Sequence, residues 1–268
     1  MKRIIIVAFA SLLVLSLFTF AGCQKKSDKL IVAMELAYPP FETKDEAGNP
    51  SGVSVDMAYA LGEYLGREVE IVNTAWDGLI PSLQTGKADI IISSMTIKEE
   101  RKEMVDFSIP YVNALLAILA HKGSGINNID DLNQPGKKVA VKNGSTGHIF
   151  AEKNLTNAEL IVLADESACV TEVVQGKADG FLYDQLTIYR NNKSNPDTTT
   201  AVFIPFQDPE QWGVAVKKGN EQLVKDINAF ITEFTANGGF DVLTEKYLKE
   251  EKKAFDEFGF LWFFDFDN

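Results

Sequence analysis

From residue 29 onward, short apolar runs alternate with longer segments in which apolar residues recur at helical spacing. "KLIVAM" (29–34) reads as a buried strand, and "VSVDMAYALGEYLG" (53–66) has helical periodicity that stops at Gly66. "EVEIVN" (68–73) predicts a strand, "WDGLIPSLQTGK" (76–87) a short helix with a glycine stop, and "ADIIIS" (88–93) a third strand. Strands separated by helices imply a mainly parallel sheet covered by helices.

The rhythm then breaks into a long extended apolar run, "YVNALLAILAHKGS" (111–124). A second set follows: strand "KKVAVK" (137–142), a helix over 146–153, strand "AELIVLA" (158–164), a helix over 166–177 and strand "ADGFLY" (178–183). Both sets place "GKAD" before a core strand, at 86–89 and 176–179. The segment 212–234 predicts a strand and a long helix that return to the first set and close it. The fold class is therefore α/β with two similar lobes: 29–112 with 209–250, and 113–208. The chain would cross between them twice, near 111–115 and 205–212. Two crossovers make a hinge, and the cleft between the lobes is where a ligand would bind.

Composition narrows the function. With 268 residues, 46% of them hydrophobic, the chain can bury a sizeable core. A formal net charge of −12 with no basic cluster argues against nucleic acid as a partner. The N-terminal "MKR", the uncharged apolar run over 4–20 and the small residues before Cys23 read as a secretory leader over 1–22, followed by a polar linker over 23–28. "FAGC" resembles the lipobox of bacterial lipoproteins, which implies that Cys23 is lipidated, for example with palmitate, and becomes the first residue. An uncleaved membrane helix is the alternative, since 4–23 is long enough to span. Either way the body is expected outside the cytoplasm. The only other cysteine, Cys169, then has no disulfide partner and is expected in a helix core. His121 and His148 are far apart and are expected at the surface, and no metal or cofactor is expected.

Seven stretches carry a family resemblance: "AYPPFE" (37–42), "VSVDMAYAL" (53–61), "WDGLIPSLQTGKADIIISSMTIKEER" (76–101), "VDFSIPY" (105–111), "VAVKNGSTG" (139–147), "GKADGFLYD" (176–184) and "WGVAVKKGN" (212–220). In this order they resemble the extracellular solute-binding proteins, family 3, of bacterial polar amino-acid ABC transporters. The resemblance implies the type II periplasmic-binding-protein fold and a free L-amino acid as ligand, delivered to a permease and ATPase complex by a lipid-anchored monomer.

An amino acid is a zwitterion, and desolvating both charges is costly unless each meets a fixed partner. Arginine suits the carboxylate because its planar fork donates two parallel hydrogen bonds. The resemblance gives that role to Arg101, with Thr96 and the backbone of Ser94 completing the first-lobe cradle. From the second lobe, Thr146 at a helix start can add donors, and Asp184 is the position that takes the α-ammonium. Taken alone, Arg101 within "KEERKE" is a solvated helix charge, and Asp184 is an N-cap for "QLTIYR". By position, Tyr38 and Trp76 resemble aromatic walls around the ligand side chain. Glu35 near that pocket favours a donor, while Lys142 disfavours a full cation, so a basic amino acid and glutamine both stay open.

The tail over 251–268 ends in "FDEFGFLWFFDFDN", half of whose residues are aromatic. It either packs back onto a lobe or leaves an apolar patch exposed. No Ser/His/Asp or Cys/His arrangement is present, so a receptor is expected rather than an enzyme. The alternatives on this scaffold are a cyclohexadienyl-acid dehydratase and an amino-acid sensor or adhesion lipoprotein.

Overall fold

The computed structural model describes residues 29–266. The leader and the Cys23 lipidation signal lie outside the described residues. In chain order, the first lobe begins with β1 (Leu30–Met34), a small hairpin of β2 (Thr43–Lys44) and β3 (Pro50–Ser51), α1 (Val53–Leu65) and β4 (Val69–Asn73). A 3-10 turn at Trp76–Gly78 runs into α2 (Leu79–Gln84), followed by β5 (Ile90–Ile91), α3 (Glu99–Lys102) and β6 (Val105–Phe107). β7 (Val112–Ala114) leads into the second lobe: β8 (Leu116–His121), α4 (Ile129–Leu132), β9 (Lys138–Lys142), α5 (Thr146–Asn154), β10 (Glu159–Leu163), α6 (Glu166–Val174), β11 (Gly180–Asp184), α7 (Gln185–Ser194) and β12 (Thr199–Val202). β13 (Glu210–Trp212) returns the chain to β14 (Ala215–Lys217), α8 (Glu221–Ala236), α9 (Gly239–Tyr247) and α10 (Lys249–Phe258).

Each lobe holds a five-stranded sheet, ordered β4-β1-β5-β14-β6 in the first and β10-β9-β11-β8-β12 in the second. Both are mixed, each with a single reversed strand in an otherwise parallel set. In each, four strands run in one direction and one, β14 in the first and β8 in the second, lies antiparallel between two of them. The cause is the hinge. The parallel strands run toward the cleft, whereas β8 and β14 each leave the hinge and so run the other way. The ends of parallel strands are where open α/β sheets bind ligands.

Alternation along the strands buries both faces. Leu30, Val32 and Met34 of β1 enter one apolar cluster, and Ala33 enters the cluster on the opposite face. β8 divides in the same way, Ile118 and Ala120 to one side, Ala117 and Leu119 to the other. That double burial explains the unbroken apolar runs. Burying Leu or Ile fully is worth about 1.5–3 kcal/mol per side chain. α1 ends where Gly66 adopts φ 64°, a left-handed conformation that suits glycine. Cys169 is fully buried in α6. The histidines differ from expectation: both are half-buried, His121 Nδ1 lying 2.8 Å from the Val173 carbonyl and His148 Nδ1 accepting from the Gly144 N–H at 3.1 Å.

The crossovers pair with each other. β7 and β13 form an antiparallel ribbon in the register Glu210–Ala114, Gln211–Asn113 and Trp212–Val112. Two strands that hold each other but belong to neither five-stranded sheet can flex together, which suits a hinge.

The aromatic tail packs back onto this ribbon. Asn113 N–H donates to the Phe263 carbonyl at 2.7 Å, and Asn113 Nδ2 to the Asp265 carbonyl at 2.8 Å. The Phe263 ring, fully buried, lies 5.5 Å from Phe41 and 6.3 Å from Trp212. Phe264 stacks on Phe240 at 4.5 Å, while Phe260 meets Phe203 of the second lobe at 4.9 Å. The tail therefore touches the first lobe, the hinge and the second lobe at once. Among the described residues, no helix is long and apolar enough to cross a membrane.

Phe263→Ala should destabilise the protein by about 3–5 kcal/mol through the cavity it leaves. Chemical denaturation would measure this, and a loss below about 1 kcal/mol would mean that the tail is not part of the packed core.

Candidate functional site

A cavity opens between the lobes, in front of the hinge. Its lining contains Glu35, Tyr38, Trp76, Ser94, Thr96, Arg101, Thr146 and Asp184. Lys142 joins them through Glu35. The structure thus brings all the sequence candidates to one place, from both lobes.

Arg101 comes from α3, a single turn in a mostly charged segment, yet it is only 6% exposed. Nη1 donates to the Thr96 carbonyl at 2.8 Å, and Nη2 to the Gly144 carbonyl of the other lobe at 3.1 Å. The guanidinium also sits 5.2 Å from the centre of the Trp76 ring. Among the described residues, no carboxylate forms an ion pair with it. Burial lowers its pKa, opposed by the negative charge of Glu210. A guanidinium has five N–H donors, so donors remain for an anion.

Asp184 ends β11 and starts α7. Its Oδ1 accepts from the N–H groups of Leu186 and Thr187, both at 3.0 Å, which makes it the N-cap of that helix. Its Oδ2 is buried with no partner, as is the Tyr38 hydroxyl. The cap and the free oxygen are therefore two halves of one carboxylate. Burial pushes the Asp184 carboxyl above its ordinary range, opposed by the Thr187 N–H.

Lys142 Nζ and a Glu35 carboxylate oxygen form an ion pair across the cleft, with side chains 5% and 13% exposed. The other Glu35 oxygen accepts from the Trp76 N–H at 3.3 Å. Lys142 Nζ lies 5.4 Å from the Trp76 ring centre, so that ring faces two cations.

Thr146 is the first residue of α5, which Ser145 caps by accepting from the His148 N–H at 3.2 Å. α5 approaches β11 closely at Gly147, where a Cβ would meet the Leu182 carbonyl at 2.3 Å. Only glycine permits that approach, which seats the helix start at the cleft.

Two acids escaped the sequence reading. Glu42 is 1% exposed and accepts from Ser54 Oγ at 2.6 Å, Ser94 Oγ at 3.0 Å and Ser93 Oγ at 3.3 Å. Ser94 adopts φ 48°, a left-handed conformation uncommon outside glycine, at the bend that ends the strand early. Ser93 Oγ in turn accepts from the Glu35 N–H at 3.0 Å. Burial pushes the Glu42 carboxyl up to about 8, against the three serine hydroxyls. Glu210 is 7% exposed and contacts Thr96, Thr146 and Lys98. Neither acid carries a local signal. Each stood beside a recognisable stretch, but only the fold points it inward.

A cleft between two similar lobes, with an unpaired guanidinium and an unpaired carboxylate oxygen inside, defines a two-lobed binding protein. The chain belongs to the bacterial extracellular solute-binding proteins, family 3, whose model matches residues 30–250. It is 33% identical over 225 residues to the L-cystine-binding protein TcyJ of Escherichia coli (strain K12), covering 83% of this chain and 84% of that one. It is 32% identical over 268 residues to an L-arginine-binding protein of Pseudomonas aeruginosa, covering 97% and 99%. The structure of an ancestral arginine-binding protein bound to glutamine matches with a TM-score of 0.75 and 37% identity, covering 82% of this chain and 98% of that chain. These relatives are binding proteins, and this chain is an extracytoplasmic solute-binding protein of type II periplasmic fold rather than an enzyme.

A carboxyl raised by folding holds its proton more tightly in the folded state. Its contribution is complete below the ordinary value of 4.5 and is lost as pH rises to about 8. Glu166, pushed up to about 7 by burial, adds to the same slope. Glu42→Gln should flatten the fall in Tm between pH 5 and 8, and an unchanged slope would exclude Glu42 as its source.

Proposed function

We propose that this chain is the amino-acid-binding component of an ABC transporter, with an uncharged polar L-amino acid such as glutamine as its ligand. The observation that carries the reading is the pair of unsatisfied charges, Arg101 and Asp184 Oδ2, in one cavity. Arg101 takes the α-carboxylate and Asp184 the α-ammonium. Because they belong to different lobes, a ligand that satisfies both stabilises the closed form by its preference for that form.

The remaining charges sort themselves. Lys142 neutralises Glu35, Lys98 stands 3.2 Å from Glu210, and Glu42 holds its proton at neutral pH. Arg101 and Asp184 are left, a match for a zwitterion with no extra charge. At the side-chain end, an amide can donate to Glu35 and accept from Lys142 without breaking their pair. A guanidinium or ammonium would have to displace Lys142 and leave it buried beside like charge, at a cost of several kcal/mol. Tyr38 and Trp76 would wall the ligand side chain, and the Ser94 backbone would complete the carboxylate cradle.

The lipobox-like "FAGC" supports anchoring through a lipidated Cys23, with delivery of the ligand to a permease and ATPase by a monomer.

Titration calorimetry of refolded, ligand-free protein against the twenty amino acids and cystine tests this. Glutamine should bind, and arginine more weakly. Binding of none would overturn the amino-acid reading, and arginine binding more tightly than glutamine would overturn the side-chain part alone. Arg101→Ala should weaken binding by about 30-fold to several thousand-fold, the equivalent of about 2–5 kcal/mol for one partner of a buried charged pair. Lys142→Ala should shift the preference toward arginine at least about tenfold, because it leaves Glu35 unpaired.

A further inference from the structure

Glu210 is the first residue of β13, on the hinge, and its carboxylate reaches into the cavity. One oxygen, Oε2, accepts from two hydroxyls: Thr146 Oγ1 of the second lobe at 2.7 Å and Thr96 Oγ1 of the first at 3.3 Å. The other, Oε1, faces Gln207 Nε2 at 3.0 Å and Lys98 Nζ at 3.2 Å. The carboxylate is thus held on all sides by donors.

A threonine hydroxyl has one hydrogen and two lone pairs. The hydrogens of Thr96 and Thr146 are both committed to Glu210, and among the described residues neither hydroxyl has another acceptor. A hydroxyl in that state cannot also donate to a ligand carboxylate. It can only accept. Bonded to Glu210, the Thr146 hydroxyl has no second hydrogen to give an anion.

We propose that Glu210 is a positioning residue that sets the polarity of the site: it fixes Thr96 and Thr146 as acceptors. With Asp184 Oδ2 in the same cavity, the two hydroxyls then form the cradle for the ligand ammonium. The carboxylate is left to Arg101, the Ser94 backbone and the backbone N–H groups at the start of α5. Alanine in place of Glu210 would remove the shared acceptor, free both hydroxyl hydrogens and mix donors into the ammonium site. The inference rests on the amino-acid reading above, and it concerns only how the hydroxyls serve it.

The test compares each amino acid with its desamino counterpart, glutamine with glutaramate and arginine with 5-guanidinovalerate, by calorimetry on the full chain. If the wild-type chain binds none of these, the amino-acid reading fails and this one with it. If the wild type binds, Glu210→Ala should weaken the amino acid about 10- to 100-fold, the range for hydrogen bonds to a charged group. The desamino ligand should change by less than about threefold. Thr146→Val should act in the same direction, and the double variant should be hardly worse than either single one, because Glu210 acts through the hydroxyl. Equal loss for both ligand types, no loss, or additive effects would each overturn the proposal while leaving the amino-acid reading intact. Should Glu210→Ala not fold, Thr146→Val decides: a loss confined to the amino acid supports the proposal, and a loss for the desamino ligand overturns it.

Discussion

Burying a guanidinium with no carboxylate beside it forfeits several kcal/mol of hydration, and the chain carries that cost at Arg101. What holds the group is partial: two backbone carbonyls and the face of Trp76. Carbonyls and a ring soften the desolvation but supply no full counter-charge. One of those carbonyls, Gly144, belongs to the opposite lobe, so the cation is most enclosed when the cleft is shut. An anion at about 4 Å would gain on the order of 4 kcal/mol at an effective dielectric of 20. Ligand capture and lobe closure are coupled because the same buried charge feels both.

The other charges are arranged so that this one stays available. Lys142 is taken by Glu35 and Lys98 by Glu210, each within reach of the cavity. Glu42 is surrounded by three serine hydroxyls and keeps its proton at neutral pH, so it adds no competing anion. A free acid in the same cavity would compete with an external carboxylate for Arg101. The selectivity of the cleft is thus as much a matter of which acids are occupied as of which groups touch a ligand.

Behind the cleft, the hinge ribbon is narrow, and the aromatic tail is laid across it. Its backbone carbonyls at Phe263 and Asp265 are bonded to Asn113, and its rings reach both lobes. A segment beyond residue 250, where the family match ends, therefore shares the core with the moving part of the protein. The buried rings of Trp262 and Phe263 give it the apolar area to stay there.

The alternation of apolar runs and helical stretches was enough to expose two α/β lobes and two crossovers, since burial on both faces of a strand leaves a continuous apolar run. The stretches from Ser93 to Arg101 and from Gly176 to Asp184 were enough, through resemblance, to pick out the two charges. Spacing could not show that both sheets are mixed, because strand direction at β8 and β14 depends on where the hinge lies. Nor could it show that Glu35 and Lys142, 107 positions apart, face each other, or that Glu210 reaches Thr146 across 64. Those are contacts between lobes, invisible to any local pattern. Sequence alone determined the types of residue the cleft would need. Tertiary structure decided which of its charges are already paired, because burial removes water as a partner and forces every charge to find one in the protein or wait for a ligand.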